Sequence, residues 1–365
     1  MFYVLLSLIL LIVVVYFWLR FRSSKLAGED LRAYDATPKS FATAQPSEGL
    51  DRLNDFIHQM FISTSKEAKE NNYAHQWVGK RERFDAMSLA RDFAETEFVP
   101  DVITIDGREI TGSWTLVPGY HANKRLLYMH GGAFTVGSDI SHRPLTVQLA
   151  RRTGMAVFAP NYRLMPENSR RDGIADAQAA YDWIIENGPD GPAPAEKLVL
   201  SGDSAGGNLV LMLSNWARDT NNRRPDAVIA LSPTVDATFS SPSLRNNIST
   251  DHMLRPMMKP VLKLPKLFLL PAMQHHYGMN PSDPKQSPIY SDLADLPPTL
   301  LQVSRDEMLY DDSVRFVEKA KSAGSPVDLQ IWDGGLPHVW QIFDDYIPEA
   351  GDALKEIKLF LDKNV

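Results

Sequence analysis

Leu198-Val199-Leu200-Ser201 runs into Gly202-Asp203-Ser204-Ala205-Gly206-Gly207 and on into Asn208-Leu209-Val210-Leu211-Met212-Leu213. This reads as strand, tight turn and helix, with G-x-S-x-G at the turn. A serine on such a sharp bend projects its hydroxyl above the sheet. Strand and helix then pass so close that positions 202 and 206 tolerate almost no side chain. The helix N-terminus lies under the serine, where its amides favour negative charge. Alone the pattern is weak, since about one chain in ten of this length carries it by chance. Its place after a strand and before a helix gives it weight.

Upstream, His130-Gly131-Gly132-Ala133-Phe134 follows the apolar run Leu126–Met129. A glycine pair directly after a strand exposes backbone N–H groups for an oxyanion. An ordinary strand–helix turn also favours glycine, but acyl transfer needs both parts, and both are present. The expected donors are the N–H groups of Gly131, Gly132 and Ala205. Phe134 and Asp203, beside this loop and the serine, are expected to touch substrate.

A serine at neutral pH needs a base, and the base needs an orienting acid. Of the nine histidines, His338 lies in Gly334-Gly335-Leu336-Pro337-His338-Val339-Trp340, just past the strand Val327–Trp332. Sites in α/β folds form at such carboxyl ends. His275 and His276 read as cap-surface residues, and His58, His75, His121, His142 and His252 as structural. For the acid, Asp306 follows the strand Thr299–Val303, with Glu307, Asp311 and Asp312 as near rivals. Asp312-Ser313 looks more like a helix start. Ser204, Asp306 and His338 are the expected catalytic residues.

Further outward, apolar runs at 102–105, 114–117, 126–129, 155–159, 198–200, 228–231, 299–303 and 327–332 read as strands. From Leu126 on, helical stretches separate most of them, such as Asp172–Glu186 stopped by Asn187-Gly188 and Asp312–Ala323 stopped by Gly324. Alternating strands and helices mean a mainly parallel sheet covered on both faces. Val327-Asp328-Leu329-Gln330-Ile331 alternates in polarity and belongs near an edge. Between 231 and 299 no strand is evident, and a structureless loop that long is foreign to a compact domain. An inserted cap is expected there. Within it, Val261–Pro271 is apolar apart from Lys263 and Lys266; a buried cap helix is the favoured reading and a lipid-touching lid the other.

The chain has 365 residues, 44% of them hydrophobic and 23% charged, with a formal net charge of −7. This is a globular composition. The acidic balance argues against nucleic acid as a partner. With no cysteine, disulfides, thiolate zinc sites, iron–sulfur clusters and a cysteine nucleophile are excluded. No metal or organic cofactor is expected.

Residues Met1 to Leu19 carry no side-chain charge and a single small polar residue, Ser7. As a helix they span about 29 Å, enough for a bilayer core of about 30 Å. Tyr16 and Trp18 stand where an interfacial aromatic belt would be, and Arg20, Arg22 and Lys25 follow. Basic residues after the run rather than before it, with no small-residue cleavage site, favour an uncleaved anchor over a signal peptide. The charge bias favours a cytoplasmic catalytic domain. The expected organisation is a transmembrane anchor at 1–22, a linker at 23–46, N-terminal cap helices at 47–95, the first part of the core at 96–235, a cap insertion at 236–280 and the rest of the core at 281–365.

With these residues in hand, the chain resembles the hormone-sensitive-lipase-like family of α/β-hydrolase carboxylesterases. The resemblance covers roughly 97–365. It rests on HGGAF (130–134), NYRLMPE (161–167), GDSAGGN (202–208), SPIYSDL (287–293), DEMLYDD (306–312) and PHVW (337–340). It implies an α/β-hydrolase fold with a helical cap, Ser204 as nucleophile, His338 as base, Asp306 as acid, and hydrolysis of small or medium acyl esters through an acyl-enzyme. Two departures stand out: Ser304-Arg305 replaces the family's common glycine before the acid, and Ala133 takes the third small position of the oxyanion loop. The N-terminal anchor resembles the arylacetamide-deacetylase branch, which implies a lumenal domain, opposite to the charge bias. Partners expected are an ester or lipid-like small molecule, a membrane through residues 1–22, and a second copy in a homodimer. Amide or lactone hydrolysis by the same three residues, and a non-catalytic ligand-binding relative, are the alternatives.

Overall fold

The computed structural model describes residues 2–67 and 73–365; the side chains of residues 2, 60–67 and 73–76, His75 among them, lie outside that description. In chain order the elements are α1 (Phe2–Leu26), β1 (Ala42–Thr43), α2 (Glu48–Glu67), α3 (Tyr73–Leu89), β2 (Glu97–Ile105), β3 (Arg108–Leu116), β4 (His121–Met129), α4 (Arg143–Thr153), β5 (Met155–Pro160) and α5 (Arg170–Glu186). After a small ribbon of β6 (Asn187–Gly188) and β7 (Gly191–Pro192) come β8 (Lys197–Asp203), α6 (Ala205–Asp219), β9 (Ala227–Leu231), α7 (Ser243–Asn246), α8 (Arg255–Val261) and α9 (Lys266–Tyr277). The chain closes with β10 (Thr299–Ser304), α10 (Tyr310–Ser322), β11 (Val327–Asp333) and α11 (Pro348–Asn364).

The described strands form a nine-stranded sheet in the order β1-β11-β10-β9-β8-β4-β5-β3-β2. Neighbours from β1 to β5 in this order are parallel; only β3 against β5 and β2 against β3 are antiparallel. Strand side chains alternate between two buried faces. Leu127, Leu200 and Val228 pack with α5, α6 and α10, while Leu126, Val199 and Ile229 pack with α4 and α11. That two-sided burial is why the central strands read as continuous apolar runs. All eight expected strands are present, and β11 lies second from the edge.

The connector expected at 23–46 is instead part of the folded domain. Helix α1 continues to Leu26, Leu26, Leu31 and Ala44 are buried, and Ala42 and Thr43 pair with Trp332 and Asp333 as the outermost strand. The backbone groups on the free side of β11 need partners, and this short strand supplies them. The polar composition of 23–46 hid this, because two paired residues leave no periodicity to read.

The cap has two parts. On α2, Leu50, Leu53 and Ile57 pack against Trp332, Trp340 and Phe343 around the histidine loop. From α3, Arg81 donates to the carbonyls of Thr135 (2.8 Å) and Met165 (2.9 Å) and pairs with Glu167. The insertion folds as α7, α8 and α9, and Met258 of α8 packs on Met308 and Leu309 beside the acid turn.

Candidate active site

Four carboxyl ends of parallel strands, those of β4, β8, β10 and β11, converge on one rim of the sheet. The chain adds β5 to one side of β4 and β8 to the other, and that reversal opens a crevice there. Ser204 occupies the bend between β8 and α6 with φ 51° and ψ −113°. This is the left-handed region, costly for a residue with a side chain. The surroundings enforce it: Ser204 N–H donates to Leu231 O at 2.8 Å, and α6 lies so close to β4 that a Cβ on Gly206 would stand 1.8 Å from the Met129 carbonyl oxygen.

Ser204 Oγ is 2.9 Å from His338 Nε2, and His338 Nδ1 is 3.2 Å from Glu307 Oε2. Both His338 and Glu307 are buried. Burial pushes the imidazole pKa down, but the Glu307 hydrogen bond and charge, with Asp251 and Asp203 behind them, outweigh it and hold the pKa above its ordinary value. Burial pushes the Glu307 carboxyl up, against the lowering effect of His338.

Glu307, not Asp306, therefore meets the histidine. The turn after β10 is closed by Glu307 N–H on Ser304 O, and Arg305 is drawn outward to Asp333 at 2.7 Å. This phases the turn so that residue 307 faces inward and residue 306 outward. Asp306 accepts from Gly335 N–H at 2.8 Å and so braces the loop that carries His338. The longer glutamate side chain then spans the gap to the ring. Two cap residues hold this turn, Asp251 and Asn247, neither of which the sequence places at the site. Asp251 Oδ2 accepts from Met308 N–H at 2.8 Å, and Asn247 Nδ2 donates to the carbonyls of Arg305 (2.7 Å) and Glu307 (2.8 Å). Their partners lie more than fifty residues away in the chain, beyond the reach of any local pattern.

The loop at 130–134 differs from expectation at its first glycine. Gly131 N–H donates to Asp203 Oδ1 at 3.0 Å, so it is spent inside the protein. Gly132, Ala133 and Phe134 then all take positive φ, at 106°, 53° and 60°. Among the described residues, the N–H groups of Gly132, Ala133 and Ala205 have no protein acceptor. His130 ties the loop from within through Nδ1 and Gly131 O at 2.8 Å, stacks on Tyr162, and burial lowers its pKa to about 3, so it stays neutral.

Neither expected substrate contact lies open. Asp203 is 3% exposed and gathers Tyr128 Oη at 2.6 Å, Gly131 N–H and His142 Nε2 at 3.4 Å. Burial pushes its carboxyl up, but His142, Tyr128 and His130 together hold the pKa below the ordinary value. Phe134 is 5% exposed, with its ring 3.8 Å from the Arg170 guanidinium. The loop's left-handed conformation turns that ring inward. Both residues shape the loop from behind. Among the described residues no three carboxylate or imidazole groups gather to hold a metal ion.

A family model described as alpha/beta hydrolase fold matches residues 126–342. An acetyl-hydrolase of Streptomyces hygroscopicus is 32% identical over 291 residues, covering 78% of this chain and 92% of that protein. An esterase of Acinetobacter venetianus strain RAG-1 is 36% identical over 242 residues, 66% of this chain and 75% of the other. The crystal structure of an esterase from the bacterial hormone-sensitive lipase family superposes with a TM-score of 0.72 at 30% identity, covering 88% of this chain and 99% of that one.

The chain belongs to the hormone-sensitive-lipase-like α/β-hydrolase esterases. It is a carboxylesterase-like serine hydrolase. The esterase thus keeps the family's core, while the tie between Glu307 and His338 and the loss of Gly131 as a donor are seen only in its folded geometry.

Proposed function

We propose that the esterase cleaves small or medium acyl esters with Ser204 as nucleophile, His338 as base and Glu307 as orienting acid. The observation that carries this is the 2.9 Å approach of Ser204 Oγ to His338 Nε2, with Glu307 on the far nitrogen. His338 takes the serine proton as Oγ attacks the ester carbonyl. The tetrahedral oxyanion meets the N–H groups of Gly132, Ala133 and Ala205, each such donor being worth about 3 to 4 kcal/mol by analogy with a side-chain donor. Protonated His338 then gives its proton to the leaving alkoxide, which departs as the alcohol and leaves an acyl-serine. Water, deprotonated by His338, attacks that ester and frees the acid and the serine.

The similarity to a protein named acetyl-hydrolase favours a short acyl group. The exposed apolar helix α1, ending in Arg20, Arg22 and Lys25, favours anchoring in a membrane with the catalytic domain on the cytoplasmic side.

Ser204→Ala tests the assignment. The variant folds like the parent but loses p-nitrophenyl acetate turnover by about 10⁴-fold or more, and a fluorophosphonate probe labels the parent and not the variant. Near-parental turnover by Ser204→Ala would overturn the mechanism.

A further inference from the structure

Between His252 and Ser282 the chain has no Asp or Glu, yet it carries Arg255, Lys259, Lys263 and Lys266 in a protein of net charge −7. This acid-free stretch is α8, the turn after it, and α9. Lys259, Lys263 and Lys266 are exposed, and among them stand Met257, Leu264 and Phe268, also exposed at 46%, 42% and 49%. Only part of the apolar run at 261–271 is used in packing: Leu269 and Leu270 are buried, Leu264 and Phe268 are not.

The seat of α1 fixes where this surface lies. Arg22 donates to Gln274 Oε1 at 2.9 Å, and Ser23 Oγ donates to Lys266 O at 3.3 Å. Lys266 and Gln274 are about 12 Å apart along α9, yet both meet residues 22–23, so α9 packs across the C-terminal end of α1. That contact is five residues past Trp18 on α1, about 7.5 Å along the helix. Contact with the end of the anchor places this part of α9 near headgroup depth, and basic side chains interleaved with apolar ones suit an anionic interface.

We propose that α8, α9 and the turn between them dock on an anionic lipid surface beside the anchor, with Leu264 and Phe268 inserted and Lys259, Lys263 and Lys266 on the headgroups. This rests on the reading of α1 as a membrane anchor. Docking here bears on the site, because Asp251, just before α8, holds Met308 N–H, and Met258 of α8 packs on Met308. The cap thus sits between the lipid and the Glu307 turn.

The cysteine-free chain permits single labels. Full-length Phe268→Cys, Leu10→Cys and Lys355→Cys, each carrying an environment-sensitive fluorophore, are reconstituted in phosphatidylcholine vesicles with and without phosphatidylglycerol and with spin-labelled lipids. The expected result is deep quenching at position 10, shallow quenching at 268 that grows with phosphatidylglycerol and falls with salt, and none at 355. Adding Lys259→Glu, Lys263→Glu and Lys266→Glu should cut the quenching at 268 by about half or more while position 10 is unchanged. A water-exposed probe at 268 above a quenched probe at 10 overturns the docking and leaves the anchor standing. An unquenched probe at 10 overturns the anchor and the docking with it. A spectral shift at 268 that follows protein concentration and ignores lipid assigns the surface to a second copy and overturns the proposal.

Discussion

At the residue scale, two adjacent acids take opposite roles through which way one turn faces. Glu307 lies against His338 Nδ1, while Asp306 accepts the Gly335 N–H. Glu307→Gln is expected to lower kcat by about 10³ to 10⁴-fold, through loss of the tautomer and of the stabilised imidazolium. Asp306→Asn keeps an acceptor for Gly335 and should stay within about threefold of the parent. A pH profile separates the two further. His338 has a raised pKa because Glu307 favours its charged form, so the acidic limb of kcat/KM should lie above the ordinary histidine value. Removing the carboxylate removes that bias, and the limb in Glu307→Gln should move to lower pH. In Asp306→Asn it should not move. An unmoved limb in Glu307→Gln would show that the acid lies elsewhere.

At the element scale, the close pass of β4, β8 and α6 is what raises the serine. A methyl group at 206 would strike the Met129 carbonyl, and one at 202 would strike the Gly206 backbone at 2.6 Å. Backbone atoms cannot rotate away, so Gly206→Ala should destabilise by about 3 kcal/mol or more. Gly351 gives the opposite expectation. It lies inside α11, and a Cβ there meets only the far end of Arg152 at 3.9 Å. Gly351→Ala should therefore stabilise by about 0.5 to 1 kcal/mol through helix propensity. Urea titrations of the two variants against the parent measure both signs. The insertion contributes at this scale too: Asn247, in an Asn-Ile-Ser sequon, spends its side chain on the carbonyls of residues 305 and 307.

At the scale of the whole molecule, a helix of 25 residues stands apart from the domain with nearly every apolar side chain exposed, and only its C-terminal turns engage the fold. Burying such a surface in water-free lipid is the favourable outcome. The full chain is expected to remain in the membrane pellet after alkaline carbonate extraction. Mass spectrometry of that pellet should find the intact 41.0 kDa chain rather than a product cleaved near residue 22. Release into the supernatant, or a shortened N-terminus, would defeat the anchor. The two cap segments give the molecule its remaining asymmetry. One, through α3 and Arg81, leans on the loop at 130–135; the other, through Asp251 just before α8, leans on the turn at 304–308.

Local patterning was enough for the eight long strands, the elbow at Ser204, the loop at 130–134 and the histidine at 338. Each depends on interactions within a few residues: a short apolar run, glycine at a tight turn, a loop at a strand's end. The partner of His338 was legible only as a choice among neighbours, because 306 and 307 differ by the rotation of one turn, which Asp333, Asp251 and Asn247 set from distant parts of the chain. The same holds for Gly131, whose N–H is taken by a carboxylate 72 residues away, and for residues 42–43, which become a strand only because the edge of β11 is there to pair with. Short-range sterics wrote the elements and the serine bend into the chain, while hydrogen bonds across long separations decided which acid meets His338 and which amides of the loop at 130–134 are left without an acceptor.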